Sequence, residues 1–273
     1  MSGAARQLID RAAAYGDGLF ETIAIRNGAA RLWAAHLTRT QTGCQRLGLE
    51  CPGSKNLLDL LNTAINKTDV KTHFACARIV ISAAASARGY RRDAKGSCAA
   101  EVTVYPAEPI AKDLVSNGVA TRLCSTRLAV QPALAGIKSL NRLEQVLARA
   151  EWENKEVFEG LMLDTDGRLI CGTMSNVFLI KDSRVITPAI TRCGVSGVMR
   201  AHVLQLLEES GVDCEVRDVR AEELDTATEL FLSNSQFGIL PVQRCDSRQF
   251  NIGAITQQAQ TLLAANGVPE CSP

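Results

Sequence analysis

One lysine, Lys138, stands between apolar neighbours in the run Ala135–Gln145, AGIKSLNRLEQ, and any fold this chain adopts has to place that amine. Leu140, Leu143, Leu147 and Ala150 recur behind it at helical spacing. That pattern predicts an amphipathic helix from Ser139 onward, apolar face inward, with Lys138 at its mouth. An amine so placed has two uses. It can snorkel off the helix end into water, or it can be held among apolar groups and act as nucleophile and base. The rest of the chain has to decide between them.

At 273 residues the chain has room for one large or two modest domains, and its 46% hydrophobic content supplies a core. Thirty Lys and Arg against 29 Asp and Glu leave a net charge of +1, which excludes a generic nucleic-acid surface with its basic excess. No apolar run approaches the roughly 20 residues of a membrane span. The start, MSGAARQLIDR, lacks the hydrophobic centre of a signal peptide. Ten cysteines show no CxxC or other metal-like spacing and read as reduced thiols. The expectation is a soluble cytoplasmic protein with no metal.

In the first half, Gly16-Asp17-Gly18 signals a turn before an apolar strand, Leu19–Ile25, and Asn27-Gly28 signals a hairpin. Helical periodicity runs from Ala34 to Leu47 and carries His36 and Arg39; a histidine there is expected to be hydrogen-bonded within the fold rather than catalytic. Leu57–Ile65 predicts a second short helix. Phe74–Ser82, FACARIVIS, predicts a strand with Arg78 inside it. A buried guanidinium is costly unless paired, so Arg78 either meets a carboxylate or reaches an anion. Ala87–Arg92, ARGYRR, is a basic turn, either solvated or a clamp for a carboxylate. Val102–Tyr105 adds a strand, and Pro106–Pro109, PAEP, marks a linker. The domains expected are 1–106, a linker 107–115, and 116–273.

In the second half, Val119–Cys124, Val177–Ile180 and Arg184–Thr187 predict strands. Asp166-Gly167 predicts a hairpin between Gly160–Asp164 and Leu169–Ile170. Cys193–Arg200, CGVSGVMR, feeds a helix closed by Gly211. A glycine-fed helix start offers backbone N–H groups and a positive dipole end to a phosphate, although glycines also precede helices for turn reasons alone. Leu230–Ser235 ends in Ser-Asn-Ser, small polar groups able to complete an anion pocket. Ile255–Ala265 predicts a terminal helix.

Taken in order, the motifs DRAAAYGDGLFET, GIKSLNRLEQ, SNVFLI, GVSGVMR and LSNSQFGILPV span the chain from Asp10 to Val242. Together they resemble the fold-type IV pyridoxal-phosphate enzymes. The resemblance implies an α+β fold with a small N-terminal α/β domain, a larger C-terminal domain with a β-barrel-like core, the cofactor between them, and a homodimer. It casts Lys138 as the Schiff-base lysine. Arg78, the backbone N–H groups of Val198 and Met199 beside Gly197, and the Ser235 hydroxyl become ligands of the cofactor phosphate.

Within the family the nearest likeness is to the 4-amino-4-deoxychorismate lyases, through GIKSLNRLEQVLARAEW, through ARGY at Ala87–Tyr90, and through Thr22 in FET. That likeness implies elimination of pyruvate from 4-amino-4-deoxychorismate to leave 4-aminobenzoate for folate synthesis. Lys138 would remove the proton and Thr22 or Lys138 would return one. Arg88, Tyr90 and Arg91, with Arg92 as a possible helper, would face the substrate carboxylates. The branched-chain and D-amino-acid aminotransferases of the family are the alternative activity, and a cofactor-binding relative with weakened catalysis is the third. One departure bears on the choice. Five residues before Asn176, where the family carries a glutamate that holds the pyridine nitrogen protonated, this chain has Cys171. A thiol of ordinary pKa, about 8.5, does not guarantee that proton. Transamination should suffer more from its loss than an elimination driven by aromatisation.

Overall fold

The structure, a computed structural model, describes residues 10–86, 89–92 and 97–273. The chain divides into two compact units: residues up to Glu108 together with Ile137–Asn141, and Pro109–Gly136 together with Arg142–Pro273.

The smaller unit is built on β1 (Gly18–Arg26). The short helix α1 (Arg11–Tyr15) leads into it, and β2 (Ala29–Ala30) folds back on its end through Asn27-Gly28, both at positive φ. Helices α2 (Trp33–Leu47) and α3 (Ser54–Lys67) follow, then β3 (Phe74–Ala83) and β4 (Cys98–Pro106). The sheet order is β2-β1-β3-β4, all antiparallel. Alternation sorts its faces: Leu19, Ile23 and Ile25 of β1 and Ala75, Ala77, Ile79 and Ile81 of β3 are buried, as are Leu57, Leu61 and Ile65 of α3. Glu21 lies on that buried face. Its carboxylate receives Arg39 Nε at 2.8 Å and lies 2.7 Å from His36 Nδ1, both residues of α2. Burial pushes the Glu21 pKa upward, but the Arg39 guanidinium and His36 outweigh it and hold the carboxyl at about 2. His36 thus has the structural role expected of it.

The helix predicted from Ser139 does not form there. Leu19 and Ser139 make an antiparallel bridge, Phe20 N donates to the Lys138 carbonyl at 2.9 Å, and Leu140 N donates to the Gly18 carbonyl at 3.0 Å. β2 covers only Ile25 and Arg26, so the front half of β1 has a free edge, and the segment 137–141 fills it. Pairing that row of backbone groups outweighs a local helical pattern.

The larger unit opens with α4 (Lys112–Asn117) and β5 (Val119–Leu123), and the chain returns to it in α5 (Leu143–Arg149). The apolar side of α5 does not face inward: Leu143, Val146 and Leu147 are 76%, 60% and 61% exposed. Next come β6 (Val157–Leu163), β7 (Arg168–Gly172), β8 (Asn176–Lys181), β9 (Arg184–Pro188) and α6 (Val198–Glu209). β10 (Cys214–Arg217), β11 (Val219–Arg220), β12 (Glu229–Asn234), β13 (Gly238–Cys245), β14 (Arg248–Gln249) and α7 (Ala254–Ala265) complete it. The strand order is β10-β9-β8-β12-β13-β5-β6-β7-β11, with β14 paired to β13. Leu169 of β7 and Val177 and Ile186 of β8 and β9 stand far apart in that order yet share one core cluster with Leu161, Leu230, Leu232 and Leu240. The sheet therefore curls around a common interior, as a barrel-like core requires. No helix among the described residues is long and apolar enough to cross a membrane.

The Glu21 clamp has a pH signature. A carboxyl that falls from 4.5 in the unfolded chain to about 2 in the fold stabilises the fold by about 3 kcal/mol. That stabilisation is complete above pH 4.5 and is lost as the pH drops toward 2. Glu21→Gln should remove most of this acid-labile part. Urea melts of both proteins between pH 3 and 7 read it: parallel curves for the two would contradict the clamp.

Candidate active site

The β1–β3 register sets Thr22 opposite Arg78 and Phe20 opposite Val80. Phe20, Thr22 and Arg78 therefore share the sheet face opposite the buried one. The bridge to β1 brings Lys138 to the same face. Its Nζ lies 4.3 Å from the centroid of the Phe20 ring, and the Arg78 guanidinium carbon lies 4.7 Å from the same centroid. Lys138 and Arg78 thus share one aromatic ring as a cation–π platform. Their field reaches Cys76: burial pushes that thiol up, while Arg26, Arg78 and Lys138 pull it down. Lys138 is half-buried.

Arg78 is not the buried guanidinium that an apolar strand suggested. It is the exposed residue of an alternating strand, and no acidic side chain pairs with it among the described residues. Phe20 was missed as a site residue, although its even spacing with Thr22 on Leu19–Ile25 already put the two on one face.

The substrate-side candidates divide. Arg88 lies outside the described residues. Tyr90 is 87% exposed and its ring lies 5.3 Å from that of Tyr15, and Arg91 is exposed. Arg92 is not free to clamp a substrate. It pairs with Asp17 and donates to the Leu47 carbonyl at 2.8 Å.

In the larger unit, α6 begins at Gly197, where no side chain caps the helix. The first intrahelical bond is from Ala201 N to the Gly197 carbonyl at 3.1 Å, so the N–H groups of Val198 and Met199 lack intrahelical acceptors and carry the positive dipole end. The entering loop is braced: Asn176 Nδ2 donates to the Val195 carbonyl at 3.0 Å and Ser196 N to the Gly136 carbonyl at 3.0 Å. A Cβ added at Gly197 would fall 1.9 Å from Asn176 Oδ1, so glycine alone fits this approach. Ser235 is half-buried in the turn after β12; Ser233, in register with Asn176, has a buried hydroxyl with no hydrogen-bond partner. An uncapped helix start and an orphaned hydroxyl suit an anionic group such as a phosphate. Ser233 belongs to the Ser-Asn-Ser run already named in sequence, whereas Asn176 was not given a role there.

Cys171 is buried. A bulge in the β6–β7 pairing, Met162 to Cys171 but Leu163 to Leu169, turns it into a cluster with Cys124, Trp152, Met162, Ile170 and Cys193. Burial pushes its thiol up to about 12, with Cys193 and Glu159 adding to the rise and Arg142 opposing it. The thiol is therefore neutral at physiological pH. Behind it the buried Glu159 binds the β7–β8 turn, accepting from Thr173 N, Met174 N and Ser175 Oγ at 3.1, 3.1 and 2.8 Å. Burial pushes the Glu159 carboxyl up while these donors, Thr173 first, pull it down.

An amine, a guanidinium and a hydroxyl on one face, and an anion-ready helix start, are what known relatives can now be set against. Residues 18–245 match the class IV amino-transferases. The chain belongs to that family. It is 35% identical over 259 residues to aminodeoxychorismate lyase of Vibrio harveyi, covering 92% of this chain and 93% of the relative. The crystal structure of 4-amino-4-deoxychorismate lyase from Pseudomonas aeruginosa superimposes with a TM-score of 0.90 at 41% identity, covering 97% of this chain and 96% of that one. A hypothetical aminotransferase from Mycobacterium tuberculosis, in its PLP-bound form, shares the fold with a TM-score of 0.79 at 22% identity, covering 97% and 94%. The fold is fold-type IV, as the motifs implied.

The approach of Gly197 to Asn176 is testable by itself. Gly197→Ala should cost about 2 kcal/mol, because the new methyl must displace a braced side chain. Adding Asn176→Gly should recover part of that loss. Thermal melts of the two single variants and the double variant measure the coupling, and strictly additive losses would contradict the contact.

Proposed function

We propose that this enzyme is a pyridoxal-phosphate-dependent lyase that releases pyruvate from 4-amino-4-deoxychorismate and leaves 4-aminobenzoate. The observation that carries the reading is the shared face of Lys138, Arg78 and Thr22. Pyridoxal phosphate, when bound, supplies an electron sink for charge developing at the amine-bearing carbon. Lys138 would hold the cofactor through its amine and would remove the proton from that carbon. Thr22, opposite Arg78, would hold or return a proton at its hydroxyl. Arg78, the N–H groups of Val198 and Met199 beside Gly197, and the Ser235 hydroxyl are the proposed partners of the phosphate. Arg88, with Tyr90 and Arg91, is the proposed contact for the substrate carboxylates. Ten free cysteines suit a reducing compartment, the cytoplasm.

A neutral, buried Cys171 favours the lyase over an aminotransferase. It supplies no negative charge to keep the ring nitrogen protonated, so reactions that need a long-lived carbanion are penalised, while an elimination that creates an aromatic ring has its own driving force. The similarity to lyases of two organisms supports the same choice.

Three outcomes are expected. The purified enzyme with the cofactor should yield pyruvate and 4-aminobenzoate in equal amounts from 4-amino-4-deoxychorismate, and Lys138→Ala should lose at least 1000-fold in rate. Net conversion to the pyridoxamine form by an amino-acid donor, without pyruvate, would replace the lyase with an aminotransferase. Cys171→Glu should raise transamination more than elimination; an equal rise in both contradicts the role given to the thiol. The enzyme should also sediment as a homodimer that covers the exposed Leu143, Val146 and Leu147 of α5. A wild-type monomer at micromolar concentration, or a dimer unaffected by Leu143→Glu, rules that out.

A further inference from the structure

Arg11 is 3% exposed, sits at the start of a helix of five residues, and is assigned no part in the chemistry above. Its guanidinium is divided between two tasks. Nε donates to Asp17 Oδ2 at 2.8 Å. Its terminal nitrogens donate to Ser86 Oγ at 3.0 Å, to the Gly89 carbonyl at 3.0 Å and to the Tyr90 carbonyl at 2.9 Å. One edge thus holds a carboxylate and the other holds the backbone around the candidate substrate residues. Tyr15, one turn further along α1, accepts from Gly89 N at 3.3 Å and packs on Tyr90. From the far end of the same stretch, Arg92 pairs with the same Asp17 and ties to the Leu47 and Gly48 carbonyls at 2.8 and 3.2 Å.

Asp17 is also joined to the lysine-bearing segment. The glycine before it touches Asn141: a Cβ at Gly16 would fall 2.6 Å from Asn141 Oδ1, and Asn141 Nδ2 donates to the Gly16 carbonyl at 3.4 Å. The glycine after it accepts Leu140 N at 3.0 Å, the bond that seats Lys138 on β1. Burial pushes the Asp17 carboxyl up, but Arg92 and Arg11 hold it below the usual carboxylate range, so it is charged at neutral pH. A cavity of about 440 Å³, lined by Arg11, Tyr15, Asp17, Tyr90, Arg92 and Asn141, marks where these parts meet.

We propose that Arg11, Asp17 and Arg92 form a positioning node that fixes Ser86 and residues 89–92 relative to the segment carrying Lys138, and so sets how tightly a carboxylate substrate is gripped. The consequence for substrate rests on the function proposed above; the geometric part does not. A buried guanidinium whose hydrogen bonds end on loop carbonyls contributes little as a salt bridge and much as geometry, since its planar fork fixes directions that a lysine cannot. Holding the segment before substrate arrives removes an ordering cost from binding. Arg11 and Arg92 are positioning residues and touch neither substrate nor cofactor in this scheme.

Arg11→Lys in the full chain with cofactor is the test. It keeps the charge facing Asp17 and gives up the forked contacts. Amide hydrogen exchange at Gly89, Tyr90 and Arg91 should accelerate at least about tenfold, with β1 and β3 unchanged. The KM for 4-amino-4-deoxychorismate should rise about tenfold while kcat stays within about twofold. Borohydride should trap the cofactor on Lys138 to the wild-type extent. Unchanged exchange in 89–91, or acceleration shared equally by β1 and β3, overturns the node. If Arg11→Lys fails to fold, Arg92→Lys is measured in the same way and decides by the same exchange criterion. Failure of the wild-type enzyme to release pyruvate would overturn the function but not the node, which the exchange measurement still judges.

Discussion

The free front edge of β1 is the constraint from which the candidate site follows. Its outward backbone groups need partners, and the chain meets that need by leaving the larger unit at Gly136, lending Ile137–Asn141 to the smaller one, and returning at Arg142. Two ladder bonds, Phe20 N to Lys138 and Leu140 N to Gly18, then fix the height of the lysine along the strand. A slip of one residue would turn the side chain of Lys138 to the opposite face, where Glu21 and the helices lie. The amine is thus placed by sheet register, a stiffer device than the end of a short helix, which frays.

Charge is handled by a single rule across the molecule. Where a carboxylate is buried it is saturated: Glu21 by Arg39 and His36, Asp164 by Arg168 at 2.7 Å and by two backbone N–H groups, Glu159 by the β7–β8 turn. Desolvating such groups is tolerable because each lone pair has a donor. The cations of the candidate site obey the opposite logic. Lys138 and Arg78 lean on one aromatic ring, on the sheet face opposite Glu21. An aromatic face supports a cation without neutralising it.

Much of this could be read from the sequence, for identifiable reasons. Apolar runs located β1 and β3, Asn27-Gly28 and Asp166-Gly167 located hairpins, and the glycine-fed start of α6 was plain from GVSGVMR. The failures share one cause. Leu140, Leu143 and Leu147 have helical spacing, but the partner that decides their fate is β1, more than a hundred residues earlier, and local pattern carries no trace of a free edge. The burial of Arg78 was misjudged in the same way: FACARIVIS looks apolar throughout, and only the pairing shows which of its alternate positions face the helices. Arg92 looked like a substrate clamp because its partner, Asp17, lies at the other end of the unit in sequence.

Cys171 brings the two scales together. The bulge at Ile170 shifts one residue of β7 and thereby sends the thiol to the side of Met162 and Trp152. On that side desolvation is severe enough to hold the thiol at about 12, so the position is electrically silent. A protein with a glutamate there would have to desolvate a full charge beside Arg142, and would gain a protonated ring in return. This chain carries a neutral thiol at that position instead. Under the function proposed above, a silent position suits chemistry driven by product stability rather than by a deep electron sink.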